Sequence, residues 1–179
     1  MVASRLKNSD AVTQGRSSDV TVVDDAEEGK GTLAELESRR QLWVASAPAA
    51  YRLEEHVSCI CPPDFDHRPA LIDVWRENVL RARQLGSGIP FPPQPGTLLS
   101  VGALFDRAIE YASRGESVRI FYHPQLGYPV HVMLGEPGSE AGVVYILGTL
   151  TAVSEGIIGC SRRSNGEHRE LRLLRFRRF

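Results

Sequence analysis

The sequence predicts an α+β protein, in which an antiparallel sheet of five to six strands carries two helices on one face. Three observations lead to this class. Runs such as residues 51–61 alternate apolar and polar side chains, as half-buried strands do. Two other segments, which begin near residues 33 and 101, place their apolar residues at helical spacing. Along the chain these patterns follow the order helix, three strands, helix, three strands.

Length and charge limit the domain organisation. A chain of 179 residues accommodates one domain with tails, and its formal net charge of −1 gives no general attraction to nucleic acid. No apolar run reaches the roughly 18 residues that a membrane span needs. We expect a single domain over residues 32–153, between a disordered leader, residues 1–31, and a flexible basic tail, residues 154–179.

The leader mixes Ser, Asp, Glu and Gly with scattered valines, which is too little apolar surface to offset the entropy of ordering. Val20, Val22 and Val23 offer the alternative of a short strand at a sheet edge. Asn8 and Ser9 stand where a secretory signal would place its apolar core. We therefore expect a cytoplasmic protein as the sequence stands, or a cell-envelope or exported protein if the start codon is misplaced.

The first half of the domain begins with a helix over about residues 33–47. Thr32 and Glu35 form a capping box, and Pro48 ends the helix. Its sheet-facing side is expected to consist of Leu36, Trp43 and Val44. A strand over residues 51–61 follows, and then a hairpin of residues 70–75 and 79–85 that turns near Glu77 and Asn78.

The second half begins with a surface loop, because residues 86–96 hold four prolines and three glycines. Ser100 caps a helix over residues 101–113, which Gly115 ends. Its buried stripe is expected to be Leu104, Phe105, Ala108, Ile109 and Ala112. A hairpin of residues 118–122 and 130–134 comes next, and residues 143–153 form the last strand.

The connection of this last hairpin follows turn chemistry closely. Pro124 fixes φ for the first central position of a turn, Gly127 permits a positive φ, and Pro129 holds Tyr128 extended. These preferences explain the segment as a tight turn. Tyr122, His123 and Tyr128 are also candidates for a binding surface.

Two motifs resemble those of a family of small bacterial domains, the domain of unknown function number sixty-one seventy-four. They are Cys59-Ile60-Cys61-Pro62 at a strand end and Tyr-x-Pro-x-x-Gly-Tyr-Pro at residues 122–129. The resemblance covers about residues 41–153 and implies an α+β domain without an established activity, usually in exported or lipid-anchored envelope proteins. His123 replaces the usual Asp of the family, and Asn78 replaces a turn glycine. Fewer acidic residues remain near residues 140–142, so no cation-binding role is carried over.

Cys59 and Cys61 are candidates for a disulfide or for reactive thiols. Two residues apart on a strand, their Cα atoms would be about 6.5–7 Å apart, at the upper limit for a bridge, and Pro62 favours a bend that brings them closer. An oxidising compartment would give a strained bridge and the cytosol free, packed thiols. A zinc site would need further ligands. His56 and His67 are the nearest candidates in the sequence, and His56 faces the other side of the strand. We expect no metal ion and no cofactor.

The tail alternates arginines with apolar residues and has a net charge of +5 from residue 161, from seven arginines against Glu167 and Glu170. Weak contact with a polyanion or an anionic membrane surface is one interpretation. The other is a flexible extension without a dedicated partner. The polyanion candidates are Arg172, Arg175, Arg177 and Arg178.

The sequence contains no P-loop, no phosphate-binding glycine turn and no recognisable Ser–His–carboxylate motif, so no catalytic residue is predicted. The favoured interpretation is a non-enzymatic binding or structural module. It would contact a protein or small ligand, and no specific nucleic acid, through an open sheet face or the hairpin tip. The alternatives are a thiol-redox protein that uses Cys59 and Cys61, and surface association through the basic tail.

Overall fold

The computed structural model describes residues 25–60, 68–91, 97–136, 138–139 and 142–154. Within them the elements follow in this order: β1 (Glu27–Gly29), α1 (Leu33–Ser46), β2 (Ala50–Cys59), β3 (Ala70–Trp75), β4 (Asn78–Gln84), β5 (Pro90–Phe91), α2 (Val101–Ser113), β6 (Val118–Tyr122), β7 (Pro129–Leu134) and β8 (Val143–Ala152). The predicted α+β class, with two helices and an antiparallel sheet, is confirmed.

All the described strands form one sheet in the order β1-β6-β7-β8-β2-β3-β4-β5. Every neighbouring pair is antiparallel. The two ten-residue strands, β2 and β8, pair at the centre and join the β6–β7 hairpin to the β3–β4 hairpin. The middle of the sheet therefore depends on a pairing between residues almost a hundred positions apart.

The strand count was predicted wrongly: the sheet has eight strands, not five or six. One added strand, β1, lies in the segment predicted as a leader, and the other, β5, lies in the predicted proline-rich loop. Neither has the apolar alternation by which strands are recognised. Both are short edge strands held by backbone pairing, and an edge is where a strand proline such as Pro90 is tolerated. The predicted element order changes with them.

The helices lie on one face of the sheet and pack against each other. Trp43 of α1 meets Tyr51 of β2 edge to face, with ring centroids 5.8 Å apart. Phe105 of α2 stacks on Tyr122 of β6 at 6.3 Å. These four residues belong to one continuous hydrophobic core.

The helix bounds agree closely with the structure, whereas the predicted buried faces agree only in part. Leu104, Phe105 and Ala108 of α2 are buried, but Ile109 and Ala112 are only partly buried. Thr32 caps α1 and Ser100 caps α2, each through its hydroxyl oxygen. The Glu35 carboxylate accepts from the Lys30 N–H at 2.6 Å, which differs from the predicted capping box. Leu36 and Trp43 are buried as expected, but Val44 is 62% exposed. Leu36 and Trp43 are seven residues apart and share one side of the helix, whereas Val44 lies about 100° further round. In the described part of the chain, neither helix has the length and apolar character to cross a bilayer.

The turn between β3 and β4 lies one residue earlier than predicted. Its central residues are Arg76 and Glu77, with φ values of 46° and 60°. Positive φ at both central positions is the geometry of the hairpin turns that usually contain Asn or Gly. Two long side chains therefore hold a backbone conformation that costs about 1 kcal/mol or more per residue.

Candidate functional site

The face of the sheet opposite the helices is built from the alternate residues of each strand. In β2, Tyr51, Leu53 and Val57 point into the core, so Arg52 and His56 lie on the opposite face. The same alternation applies in β6, β7 and β8. This second surface is the open face of the sheet.

A row of four side chains crosses the open face. The strand register aligns Phe121 with His131, His131 with Ile146, and Ile146 with His56. The adjacent row contributes Met133 beside Val144. Each of these side chains is partly exposed. We call them the open-face patch: His56, Phe121, His131, Met133, Val144 and Ile146.

The patch favours an uncharged state at its centre. The rings of Phe121 and His131 stack, with centroids 5.6 Å apart and an interplanar angle of 23°. Burial lowers the pKa of His131, and the nearby Arg119 lowers it further. A neutral imidazole is therefore the main form of His131 near pH 7, so this side chain adds no charge to the row there.

Charged residues border the patch on two sides. On the β1 side, Arg119 forms an ion pair with Glu28 at 3.3 Å. On the β3–β4 side, the buried carboxylate of Asp73 accepts a hydrogen bond from Arg52 at 2.8 Å and lies 3.8 Å from Arg83. An apolar centre with a polar rim is the usual anatomy of a protein–protein interface.

The hairpin residues predicted as a binding surface have mainly structural contacts. Tyr122 and Tyr128 are buried, so their rings belong to the core rather than to an accessible surface. The Tyr128 hydroxyl donates to the Gly148 carbonyl at 2.8 Å. His123 is partly exposed, and its Nδ1 accepts hydrogen bonds from the backbone N–H groups of Gln125 and Leu126, both at 3.2 Å. This histidine fixes the turn.

The cysteine and tail candidates are described only in part. Cys59, at the end of β2, is disulfide-bonded and lies opposite Val143 of β8. Cys61 lies outside the described residues, so its pairing with Cys59 stays a prediction. Among the described residues, no group of three His, Cys, Asp or Glu side chains is placed to hold a metal ion. The tail arginines Arg172, Arg175, Arg177 and Arg178 also lie outside the described residues.

Comparison with known protein families found a match for this domain. A family model described as a family of unknown function, DUF6174, matches residues 35–139, which is more than half of the chain. The chain belongs to DUF6174. The resemblance inferred from the sequence is thereby confirmed at the level of the family. A search of curated proteins and a search of solved structures each found no match.

The DUF6174 match begins within α1 and ends in the connection between β7 and β8. His56, Phe121, His131 and Met133 of the patch lie inside it. Val144 and Ile146 are supplied by β8, and the edge strand β1 precedes the match. The open face is thus completed by residues beyond the matched segment.

Sequence reasoning missed a network around Glu77 inside the DUF6174 match. Its carboxylate accepts hydrogen bonds from Trp43 Nε1 at 3.1 Å, the Tyr51 hydroxyl at 3.2 Å and the Gly102 N–H at 2.7 Å. Tyr51 in turn accepts from the Val101 N–H at 3.0 Å. The network joins the strained turn to α1, β2 and the start of α2. The sequence offered one signal for this network. Trp43 and Tyr51 were expected in the core, and the polar atoms of buried Trp and Tyr side chains need hydrogen-bond partners.

Glu55 was also missed, although it interrupts the apolar inner positions of β2. Its side chain is fully buried, and both carboxyl oxygens lie 3.2 Å from the Leu99 N–H. Burial raises the pKa of Glu55 to about 8, and the Leu99 hydrogen bond opposes this only partly. Because solvent does not reach this carboxyl group, a substrate does not reach it either, and Glu55 has a structural role.

Proposed function

We propose that this DUF6174 chain is a non-enzymatic binding module that contacts another protein through the open-face patch. The observation that carries the proposal is the aligned row of Phe121, His131, Ile146 and His56, extended by Met133 and Val144. Aromatic residues and Met are enriched at protein interfaces. Here they occupy the second face of a sheet whose first face already has a complete core.

The shape of the patch supports a protein partner over a small ligand. The row spans β6, β7, β8 and β2, and neighbouring strands are about 4.8 Å apart, so the side chains extend over roughly 15 Å of a sheet surface. Small-molecule sites are concave and enclose most of the ligand. A strip of aromatic, aliphatic, Met and His side chains on a sheet face, with charged margins, fits a partner that presents an apolar ridge flanked by polar groups.

Variants of the full chain test this proposal. Met133→Asp puts a carboxylate into the patch, whereas Thr151→Asp adds the same charge on β8 beside Arg52, outside the patch. Wild-type and both variant chains serve as baits in an extract of the cells that make the protein. Proteins retained by the wild type are then purified and mixed with each chain, and complex formation is measured by size-exclusion chromatography with light scattering.

The proposal expects a purified protein that binds the wild type and the Thr151→Asp chain but not the Met133→Asp chain. Formation of a wild-type homodimer that Met133→Asp abolishes would instead identify a second copy as the occupant and contradict a heterologous partner. Complexes equally stable with both variants would refute the role of the patch. So would a failure to reconstitute any complex from purified components.

A thiol-redox role is the second candidate, because Cys59 is disulfide-bonded. Reduction by glutathione would transfer two electrons and two protons to the bridge and free Cys59 as a thiol. The full chain is equilibrated in glutathione buffers of graded potential, and free Cys59 is measured by alkylation and mass spectrometry. A redox role predicts half-reduction between about −270 and −120 mV, whereas half-reduction below about −300 mV is typical of a structural bridge.

A further inference from the structure

The strand β1 occupies an edge of the sheet for which its own sequence has little preference. Glu27, Glu28 and Gly29 pair with Tyr122, Phe121 and Ile120 of β6. Glutamate and glycine are both depleted in strands. Backbone pairing and a few specific side-chain contacts therefore hold β1 in place, without an apolar side chain of its own among the three paired residues.

Two arginines on opposite faces of the sheet contact the two acidic side chains. Arg39 of α1 lies 3.9 Å from Glu27 on the helix side, and Arg119 of β6 lies 3.3 Å from Glu28 on the open face. Both pairs are exposed, so each contributes little to stability. Together the two arginines favour acidic side chains at two successive positions of any strand that pairs with this edge.

The third position accepts only glycine. A Cβ on Gly29 would lie 2.4 Å from Tyr122 Cε2 and 3.0 Å from Ile120 Cγ2. The Tyr122 ring is fully buried beneath this strand, with the Arg39 guanidinium 4.5 Å from its centroid. Among the described residues its hydroxyl has no hydrogen-bond partner. The edge thus combines a steric requirement with an unused buried hydroxyl.

The β6 edge lies inside the segment that matches the family, whereas the strand that covers this edge lies outside it. Arg39, Arg119 and Tyr122 lie inside the segment that matches DUF6174, residues 35–139, whereas β1 precedes it. An exposed strand edge with unpaired backbone groups is a template for an added strand. The matched domain therefore supplies a chemically selective edge, and a segment outside the match covers it.

We infer that the β6 edge is a binding site for an extended segment with two acidic residues followed by glycine, and that β1 occupies this site in cis. A partner with this pattern would replace β1 and continue the sheet. This site adjoins the open-face patch at Phe121 and Arg119, but it binds through the backbone edge of β6, so either proposal can fail without the other.

A fluorescein-labelled peptide with the sequence of residues 24–31 is the probe, and its anisotropy is measured with the full chain. Gly29→Val in the chain should displace β1 by the clash with Tyr122 and open the site. We expect the Gly29→Val chain to bind the peptide at least about tenfold more tightly than the wild type, in which β1 competes intramolecularly. Adding Arg119→Ala to that chain should weaken binding severalfold.

Two further measurements keep the inference falsifiable. A peptide carrying Gly29→Val should not bind the opened chain, because the same clash recurs. Circular dichroism checks that the Gly29→Val chain is folded. If it is not, the charge reversal Glu27→Lys with Glu28→Lys displaces β1 by placing two lysines beside Arg39 and Arg119, without a steric change in the core. Equal peptide binding by folded wild-type and opened chains, or equal binding of the two peptides, would overturn the inference.

Discussion

The Glu77 carboxylate joins a hairpin turn to three other elements, and the fold keeps a strained backbone to place it there. It accepts hydrogen bonds from Trp43, Tyr51 and Gly102. A side chain at position 102 would displace this carboxylate, since a Cβ on Gly102 would lie 2.7 Å from Glu77 Oε2. The strained turn therefore has a structural role, which is to hold the Glu77 carboxylate where it connects these elements.

Removing this carboxylate should destabilise the protein strongly. Glu77→Ala leaves two side-chain donors and one backbone N–H without their acceptor, which should cost about 2–4 kcal/mol in unfolding free energy measured with urea. Arg76→Gly is the matched control. It relaxes a φ of 46° at the adjacent turn position and should be neutral or stabilising. Equal losses for the two variants would contradict this account of Glu77.

The buried acid Glu55 should make stability depend on pH. Its pKa is raised from 4.5 to about 8 in the folded state, so the protonated form is favoured by folding. Its contribution is fully present below about pH 4.5 and is lost as the pH rises toward about 8. The unfolding free energy of the Glu55→Gln variant should rise relative to that of the wild type by about 1.4 kcal/mol per pH unit between about pH 5 and 8. Parallel stability curves for the two proteins would contradict this prediction.

At the scale of elements, the β6–β7 hairpin is organised by His123. Its Nδ1 accepts two backbone N–H groups at 3.2 Å, which is the role that Asp or Asn side chains have in Asx turns. From the resemblance noted in the sequence, Asp is the residue expected at this position in the family. We expect His123→Asp to change the unfolding free energy by less than about 0.5 kcal/mol, whereas His123→Ala should lose about 1 kcal/mol. A loss of the same size in both would show that the ring, not the acceptor, matters.

An element could be predicted from the sequence when residues within or next to it determine its structure. The α2 bounds and the β6 strand follow from a cap, an apolar stripe and turn residues, all local in the sequence. β1 and β5 depend on backbone pairing to β6 and β4, which leaves no side-chain pattern to detect. The Glu77 network escaped for a related reason, because its donors come from positions 25 to 34 residues away.

At the scale of the whole molecule, the sheet has one face filled by helices and one face with an apolar centre. The alternation predicted for β2 indicated which of its residues face the helices, since these are the large apolar ones. The open-face patch could not be predicted, because it requires the register that places Ile146 between His131 and His56. That register is set by the long-range pairing of β2 with β8.

Binding through the patch should respond to pH. The pKa of His131 lies below its ordinary value of 6.5, so the imidazole is neutral near pH 7 and charged in acid. A partner that covers His131 binds the neutral form, so its affinity should fall as the pH drops through a range that lies below the ordinary imidazole value of 6.5. In a His131→Gln chain this acid-dependent loss should be much smaller. An unchanged acid dependence in that variant would exclude His131 as its source.

The most direct test is the affinity of the purified partner for Ile146→Asp, measured by calorimetry beside the urea stability of the same chain. Ile146 lies between the two histidines of the row and is partly exposed. A protein interface on this face predicts a loss in affinity of at least about tenfold, which is about 1.4 kcal/mol, with a smaller change in unfolding free energy. Thr151→Asp should leave both values near those of the wild type. Wild-type affinity in the Ile146→Asp chain would contradict the proposal that the open face of the sheet is the binding surface.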